Sequence, residues 1–419
     1  MKTYLAHLQD AAVSNYTPLL RHPHIQRCRL GAKAQQHCLI RSLPTSLATD
    51  KRFFENHNSR RPILAVRASS KSNEVDEQAS ASEAPIVADS NKLLNALQNA
   101  NRLIPYVVLG STLAALIYPP SFSWFANRYY APALGFLMFA VGINLNYSDF
   151  ISAFKRPLVL AIGYIGQFVV KPLLGVLFAF IAVSYLHLPE SIGTGIILVS
   201  CVSGAQLSNY ATFLVEPAMA PLSIVMTALS TATAVFVIPG LTHLLLGQRL
   251  PVDAKSMMFD ITQIVVFPIA AGLMLKQFAP PLTKLIKPLL PALSVLVTGL
   301  CMGSPLARNI DAVKSPFGLE LLFPIIGFHL TAFLIGHKFS GLIFRGKTDR
   351  KGLQRTVSLE TGMQSSLLGL ALANKYFSDP LVGLPSAMST VLMSLMGFGA
   401  VMYWNAKKES SAKNLHMAS

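Results

Sequence analysis

The sequence predicts an all-α polytopic membrane protein, and two observations carry that prediction. Of its 419 residues, 52% are hydrophobic and only 13% are charged, whereas a soluble domain carries about 25% charged residues. The apolar residues also fall into runs long enough to cross a bilayer, separated by short polar breaks. The chain is therefore expected to fold as a bundle of transmembrane helices.

Ten apolar segments follow Leu103, and each is expected to be one transmembrane helix. They cover residues 103–118, 129–146, 157–183, 190–214, 219–247, 256–278, 287–307, 317–345, 351–375 and 382–405. An even number of spans places both termini on one side of the membrane. Lys and Arg are concentrated in the loops of that side, above all in the loop 345–355. The positive-inside rule then puts both termini in the stroma or the cytoplasm.

The two halves of the chain share one feature that bears on function. Residues 101–247 and 256–405 are predicted to form five-helix units. In each unit the fourth segment is interrupted by polar residues, at 203–209 and at 360–366. A unit with an odd number of spans inverts the copy that follows it. Two inverted five-helix repeats, with broken crossing helices 4 and 9, are typical of secondary transporters whose site lies between the breaks.

Glu360 lies in the middle of the apolar segment 353–373. If that helix begins near Lys351, the carboxylate is roughly 13 Å along it, about half of a ~30 Å hydrocarbon core. An ionisable group at that depth is costly unless it is paired or faces a polar cavity. Gly362 allows the backbone to leave the helix, so the pattern indicates a cation site at a broken helix. The alternative is a Glu360 that hydrogen-bonds between helices and has only a packing role.

Neutral oxygen ligands for such a cation are available on neighbouring segments. The candidates are Gln364 near Glu360, Ser208 and Asn209 in segment four, Ser223 and Thr227 in segment five, and Gln167 in segment three. Ser223 and Thr227 are four residues apart and therefore share one helix face. For each hydroxyl taken alone, bonding to a carbonyl of its own helix is the simpler interpretation.

An anionic substrate could bind at the N-termini of the second half-helices, because their free N–H groups and dipoles attract carboxylate. The candidates there are Gln206, Leu207 and Ser365. Lys171 in segment three is a further candidate, although it could instead snorkel or pair with a backbone carbonyl. His329 in segment eight is expected to be a hydrogen-bonded packing residue rather than a proton relay.

The N-terminal 68 residues are rich in Ser, Arg and Leu and lack a long apolar core. They predict a plastid or mitochondrial transit peptide cleaved after Ala68, with a disordered cytosolic tail as the alternative. Residues 69–100 predict a disordered acidic linker, and 406–419 a stromal tail.

The net charge of +16 does not indicate nucleic-acid binding, because the Lys and Arg lie in the leader and in loops.

Signatures of other function classes are missing from the sequence. It contains no HExxH, no GxSxG and no paired intramembrane aspartates, so an intramembrane enzyme is disfavoured. The four cysteines lack metal-site spacing, and no cofactor is expected beyond a coupling ion.

A channel would more naturally show repeated filter loops. A carrier on the same scaffold that uses protons, or no coupling ion, is the alternative to sodium coupling.

Two motifs, VSCVSGAQLSNYATFL at 199–214 and LETGMQSSLLGLALA at 359–373, resemble the crossover motifs of the bile acid:sodium symporter family. The resemblance covers about 101–405 and is greatest to the plant plastidial branch. It implies a panel domain of segments 1, 2, 6 and 7 that rocks against a core domain of segments 3–5 and 8–10. It further implies sodium-coupled symport of a small organic anion across the chloroplast inner envelope membrane, with stromal termini. Plastidial members carry monocarboxylates such as pyruvate, other 2-oxo acids or glycolate.

The resemblance also implies two sodium sites. The residues that match the first are Ser208, Asn209, Ser223, Thr227 and Glu360. Those that match the second are Gln167, Glu360, Thr361, Met363 and Gln364, two of them through backbone carbonyls. One extra residue separates Asn209 from Ser223 relative to the family pattern, and the first break reads Val-Ser-Gly-Ala where many relatives have Pro-Gly-Gly. The expected partners are sodium, the organic anion and membrane lipid.

Overall fold

Helices make up nearly all of the chain that the computed structural model describes, which is residues 100–247 and 254–418. The predicted transit peptide, and all but the last residue of the predicted linker, lie outside the described residues. In chain order the main helices are α1 (Ile104–Ile117), α2 (Tyr130–Asn144), α3 (Tyr147–Phe154), α4 (Pro157–Ser184), α5 (Glu190–Ser200), α6 (Gln206–Val215), α7 (Ala220–Leu246), α8 (Ala254–Phe278), α9 (Leu290–Arg308), α10 (Pro316–Ile343), α11 (Arg350–Gly362), α12 (Ser366–Tyr376) and α13 (Leu384–Ala418). The predicted tail at 406–419 continues α13 as a helix.

Six of the described helices are long and apolar enough to cross a membrane, namely α4, α7, α8, α9, α10 and α13. A seventh span results if α2 and α3 are counted together across their 79° bend. The apolar helices α1 and α5 are shorter, with 14 and 11 residues. The chain is thus a helical multi-pass membrane protein, while ten spans in two inverted repeats stay a prediction.

Two of the predicted spans are interrupted where the sequence predicts a break. The first is broken between α5, which ends at Ser200, and α6, which begins at Gln206. The second is broken between α11, which ends at Gly362, and α12, which begins at Ser366. The half-helix α6 has 10 residues and α12 has 11. At ~1.5 Å per residue each reaches only about halfway across a ~30 Å hydrocarbon core.

The two extended breaks pair with each other. Gly204 and Gln364 form an antiparallel backbone bridge, and the Ser365 N–H donates to the Ser203 carbonyl at 2.8 Å. Backbone groups released from a membrane helix need partners that water does not supply. The backbone groups of each break therefore find hydrogen-bond partners in the other break, and the residues that flank the two breaks lie side by side.

Glycine permits close packing at both breaks. A Cβ at Gly362 would lie 2.2 Å from a ring carbon of Phe333, and a Cβ at Gly204 would lie 2.7 Å from Nε2 of Gln167. Neither distance is compatible with a side chain unless the neighbour moves. The two glycines therefore let α10 and α4 pack directly against the breaks.

The outer surface of the spans is apolar. Leu173 on α4, Phe236 on α7 and Phe323 on α10 are 64%, 68% and 66% exposed. The polar residues Ser223 and Thr227, by contrast, are buried within the bundle. Large apolar side chains on the outside and hydroxyls on the inside fit a protein whose surroundings are membrane lipid.

Candidate ion site at the crossed helix breaks

Glu360 is in the last turn of α11 and is 1% exposed. Hydroxyl groups from two other helices surround its carboxylate. Ser208 on α6 donates to Oε1 at 2.8 Å, Ser223 on α7 donates to the same oxygen, and Thr227 Oγ1 lies 3.1 Å from Oε2. The extra residue between Asn209 and Ser223 therefore does not keep the α7 hydroxyls away from the carboxylate.

Asn209 adds a further oxygen to this cluster. Its Oδ1 lies 2.9 Å from Ser223 Oγ and 3.0 Å from Thr227 Oγ1. Each hydroxyl has one proton, yet each faces both the amide oxygen and the Glu360 carboxylate. With the amide oxygen on this side, each hydroxyl can donate to only one of the two. The first predicted set, which includes Ser208, is thus brought together around Glu360 and offers the oxygen atoms that a cation would need.

Arg355, the basic residue of α11 nearest to Glu360 in sequence, is occupied elsewhere. Its guanidinium lies 2.5 Å from Oε1 of Glu216, and Lys408 Nζ lies 2.9 Å from the same oxygen. These contacts join the end of α6 to α11 and α13. Arg355 therefore neutralises Glu216 rather than Glu360.

Lys171 on α4 is fully buried and contacts the second break. Its Nζ is 3.3 Å from Oε1 of Gln167 and 3.4 Å from the carbonyl oxygen of Met363. Gln167 lies in a π-helical turn of α4, and its Nε2 donates to the carbonyl of Glu360 at 2.7 Å. The ammonium thus contacts two members of the second predicted sodium set. The contact with a backbone carbonyl is the alternative role that the sequence analysis gave for Lys171. The contact with Gln167 was not predicted, although their spacing of four residues was an available signal.

Two further members of the second predicted sodium set, Thr361 and Gln364, have buried polar atoms without a hydrogen-bond partner. Oγ1 of Thr361 and both Nε2 and Oε1 of Gln364 are buried without a hydrogen-bond partner. A buried amide without a partner costs about 1–3 kcal/mol in protein mutational data. Such groups at a helix break indicate atoms that are arranged to contact something other than their own chain.

A cavity of about 50 Å³ adjoins the breaks. The predicted substrate residues Gln206, Leu207 and Ser365 line it together with Gln364. Lys171, the fourth candidate, is not in this lining. A larger cavity of about 500 Å³, between α1 and α9, is lined mainly by apolar residues away from the breaks.

His329 on α10 links the two half-helices of the second break. Its Nδ1 lies 2.9 Å from the carbonyl oxygen of Gly362, and its Nε2 lies 2.7 Å from Oγ of Ser389. A neutral ring donates through Nδ1 and accepts through Nε2, which leaves Ser389 free to accept from Ser366 at 2.8 Å. Both ring nitrogens are engaged, which fits the packing role that the sequence predicts.

Taken together, the apolar bundle, the two crossed breaks and the oxygen cluster at Glu360 define the class of secondary membrane transporters. Residues 131–316 match the family model described as the Sodium Bile acid symporter family. The chain belongs to this family, which is a family of transporters and not of enzymes. The resemblance noted from the two crossover motifs is thereby confirmed.

Several plant proteins are closely similar to the chain. It is 62% identical to the probable sodium/metabolite cotransporter BASS5, chloroplastic, of Oryza sativa subsp. japonica, over 77% of this chain and 81% of the relative. It is 58% identical to the probable sodium/metabolite cotransporter BASS6, chloroplastic, of Arabidopsis thaliana, over 78% and 80%. The corresponding protein BASS3 of Arabidopsis thaliana is 42% identical, over 76% and 70%.

Proposed function

We propose that the chain is a secondary active transporter that couples the uptake of a small organic anion to sodium by alternating access. The observation that carries the proposal is the buried Glu360 carboxylate, enclosed by the hydroxyls of Ser208, Ser223 and Thr227 at a helix break. The relatives named as sodium/metabolite cotransporters support it.

Sodium fits the Glu360 cluster in charge and in chemistry. The cluster offers one carboxylate together with the neutral oxygens of Ser208, Asn209, Ser223 and Thr227. Hard cations prefer such oxygen ligands over nitrogen or sulfur. One negative charge among several neutral oxygens favours a monovalent ion over a divalent one.

The cavity at the breaks supports a small substrate. The cavity between the half-helices has a volume of about 50 Å³. That space suits a small monocarboxylate such as pyruvate, another 2-oxo acid or glycolate. The N-termini of α6 and α12 reach the cavity through Gln206 and Ser366, and both would favour a carboxylate. Gln364 supplies an unpartnered amide beside them.

We place the transporter in the inner membrane of the chloroplast envelope, with both termini in the stroma. The predicted transit peptide and the relatives named as chloroplastic support the compartment. The basic loop at 345–355 supports the orientation. With intact envelope vesicles, a cysteine introduced at Thr348 should be labelled from the stromal side alone. Labelling from the intermembrane side would contradict the orientation.

Uptake into proteoliposomes tests the function directly. Purified protein is reconstituted, and labelled pyruvate, other 2-oxo acids, glycolate and a bile acid are offered with and without an inward sodium gradient. Accumulation of at least one small monocarboxylate against its gradient is expected only when the sodium gradient is present. Accumulation that follows a proton gradient in sodium-free medium would instead support the proton-coupled alternative. Equilibration without accumulation would support an uncoupled carrier.

A further inference from the structure

The side chain of Lys171 is enclosed in the bundle beside the second helix break. It is 0% exposed, and its ammonium contacts two neutral oxygens, Oε1 of Gln167 and the carbonyl of Met363. An ammonium removed from water must be compensated by oxygen ligands or by a nearby negative charge. Glu360, whose backbone carbonyl accepts from the same Gln167 side chain, is the nearby buried carboxylate that can supply that charge.

Gln167 lies between the Lys171 side chain and the backbone carbonyl of Glu360, and these two groups fix the orientation of its amide. Its Nε2 donates to the carbonyl of Glu360 at 2.7 Å, which turns its Oε1 toward Lys171. The opposite orientation would set an N–H group against the ammonium and an oxygen against a carbonyl. The amide oxygen of Gln167 is therefore already used by a cation that belongs to the chain.

We propose, on the basis of the proposed sodium-coupled function, that the Lys171 ammonium is a built-in cation which takes the place of a second coupling ion. The oxygens of Gln167 and Met363, with the unpartnered oxygens of Thr361 and Gln364 nearby, form a second group at the breaks. A sodium ion in this group would lie next to the ammonium and be repelled by it. The chain therefore binds one sodium, at the hydroxyl cluster of Glu360, and none in the second group.

This arrangement has a direct consequence for charge movement. With Lys171 protonated and Glu360 ionised, the two charges cancel, so one sodium ion and one monocarboxylate leave the loaded site neutral. The same two transported ions carry no net charge across the membrane. Two sodium ions with one monocarboxylate would carry one positive charge. Lys171 therefore determines whether the membrane potential contributes to accumulation.

Counting bound sodium tests the inference without knowledge of the substrate. Radiolabelled sodium is titrated onto the purified full-length chain, and saturable binding per chain is measured for wild type and for Lys171→Met. The substitution removes the charge and keeps the length of the side chain. Wild type should bind one sodium ion, and Lys171→Met should bind two. Lys171→Gln serves as a second variant, and gel filtration verifies that each variant is folded.

Lys276→Met is the matched control. Lys276 lies on α8, where it bonds to Leu145 and Asn146 away from the breaks, so this variant should still bind one sodium. Two ions on wild type, or a single ion on the folded Lys171 variants, would overturn the inference and leave sodium coupling in place. Absence of saturable binding from every protein would overturn the proposed function itself, and the inference with it.

Discussion

Thr227 on α7 donates a hydrogen bond to the carboxylate of Glu360 at the end of α11, with 3.1 Å between Thr227 Oγ1 and Glu360 Oε2. The same hydroxyl lies 3.0 Å from Oδ1 of Asn209 on α6. Three helices therefore meet at one oxygen atom. A ligand that binds here holds an unbroken helix and one half of each broken helix in a single arrangement, which is how ion binding could select a conformation.

Loss of the Thr227 hydroxyl should weaken sodium binding and leave the fold intact. Thr227→Val keeps the shape of the side chain and removes one neutral ligand, worth about 1–2 kcal/mol. The sodium concentration for half-maximal uptake should rise roughly five- to thirtyfold, with little change in maximal rate. Thr242→Val is the matched control, because the Thr242 hydroxyl on the same helix contacts the carbonyls of Ile238 and Pro239 and the sulfur of Met257 on α8, and none of the Glu360 cluster. An equal effect of both changes would contradict the assignment.

Gln364 should limit the stability of the protein in the absence of its ligands. Gln364→Met replaces a buried amide without a partner by an apolar side chain of similar length. The melting temperature in sodium-free buffer should therefore rise by a few degrees, corresponding to about 1–3 kcal/mol, while uptake falls. Gln167→Met provides the comparison, because both ends of the Gln167 amide are hydrogen-bonded and its loss should lower the melting temperature. A decrease for both variants would argue against a ligand role for Gln364.

Asp260 and Lys375 should separate during transport. They form an ion pair at 2.6 Å between α8 and α12, which belong to the predicted panel and core domains. The test uses Asp260→Cys with Lys375→Cys in a cysteine-free background. A short bifunctional reagent that forms a disulfide bond with each thiol should abolish uptake, and reduction of the disulfides should restore it. Asn146→Cys with Lys276→Cys joins two panel positions, whose side chains are 2.7 Å apart, and should tolerate the bridge. Unchanged uptake by the bridged Asp260 and Lys375 pair would contradict rocking between these domains.

The sequence allowed the position of the site to be predicted because its signal is local. A carboxylate halfway along an apolar segment, followed by Gly362, predicts a helix break near Glu360, and α11 does end at Gly362. The spacing of Ser223 and Thr227 places both hydroxyls on one face, and both reach the carboxylate.

The partners of the buried cations could not be predicted, since they depend on contacts between helices distant in sequence. Lys171 contacts Met363, which is 192 residues away in the sequence, and Arg355 contacts Glu216, which is 139 residues away. Neither pair leaves a periodicity or a motif in the chain. Only the tertiary arrangement shows that Lys171 contacts the carbonyl of Met363 and does not line the cavity at the breaks.

The central claim is that Glu360 is the charged ligand of the coupling ion, and one comparison tests it most directly. Concentrative uptake is measured against sodium concentration for wild type, Glu360→Gln and Glu320→Gln at matched expression in proteoliposomes. Glu320 is an exposed carboxylate on α10 and serves as the control for the same chemical change. Glu360→Gln should insert and fold but lose sodium-driven accumulation, whereas Glu320→Gln should retain it. Wild-type sodium dependence in Glu360→Gln would contradict the account and reduce Glu360 to a packing residue.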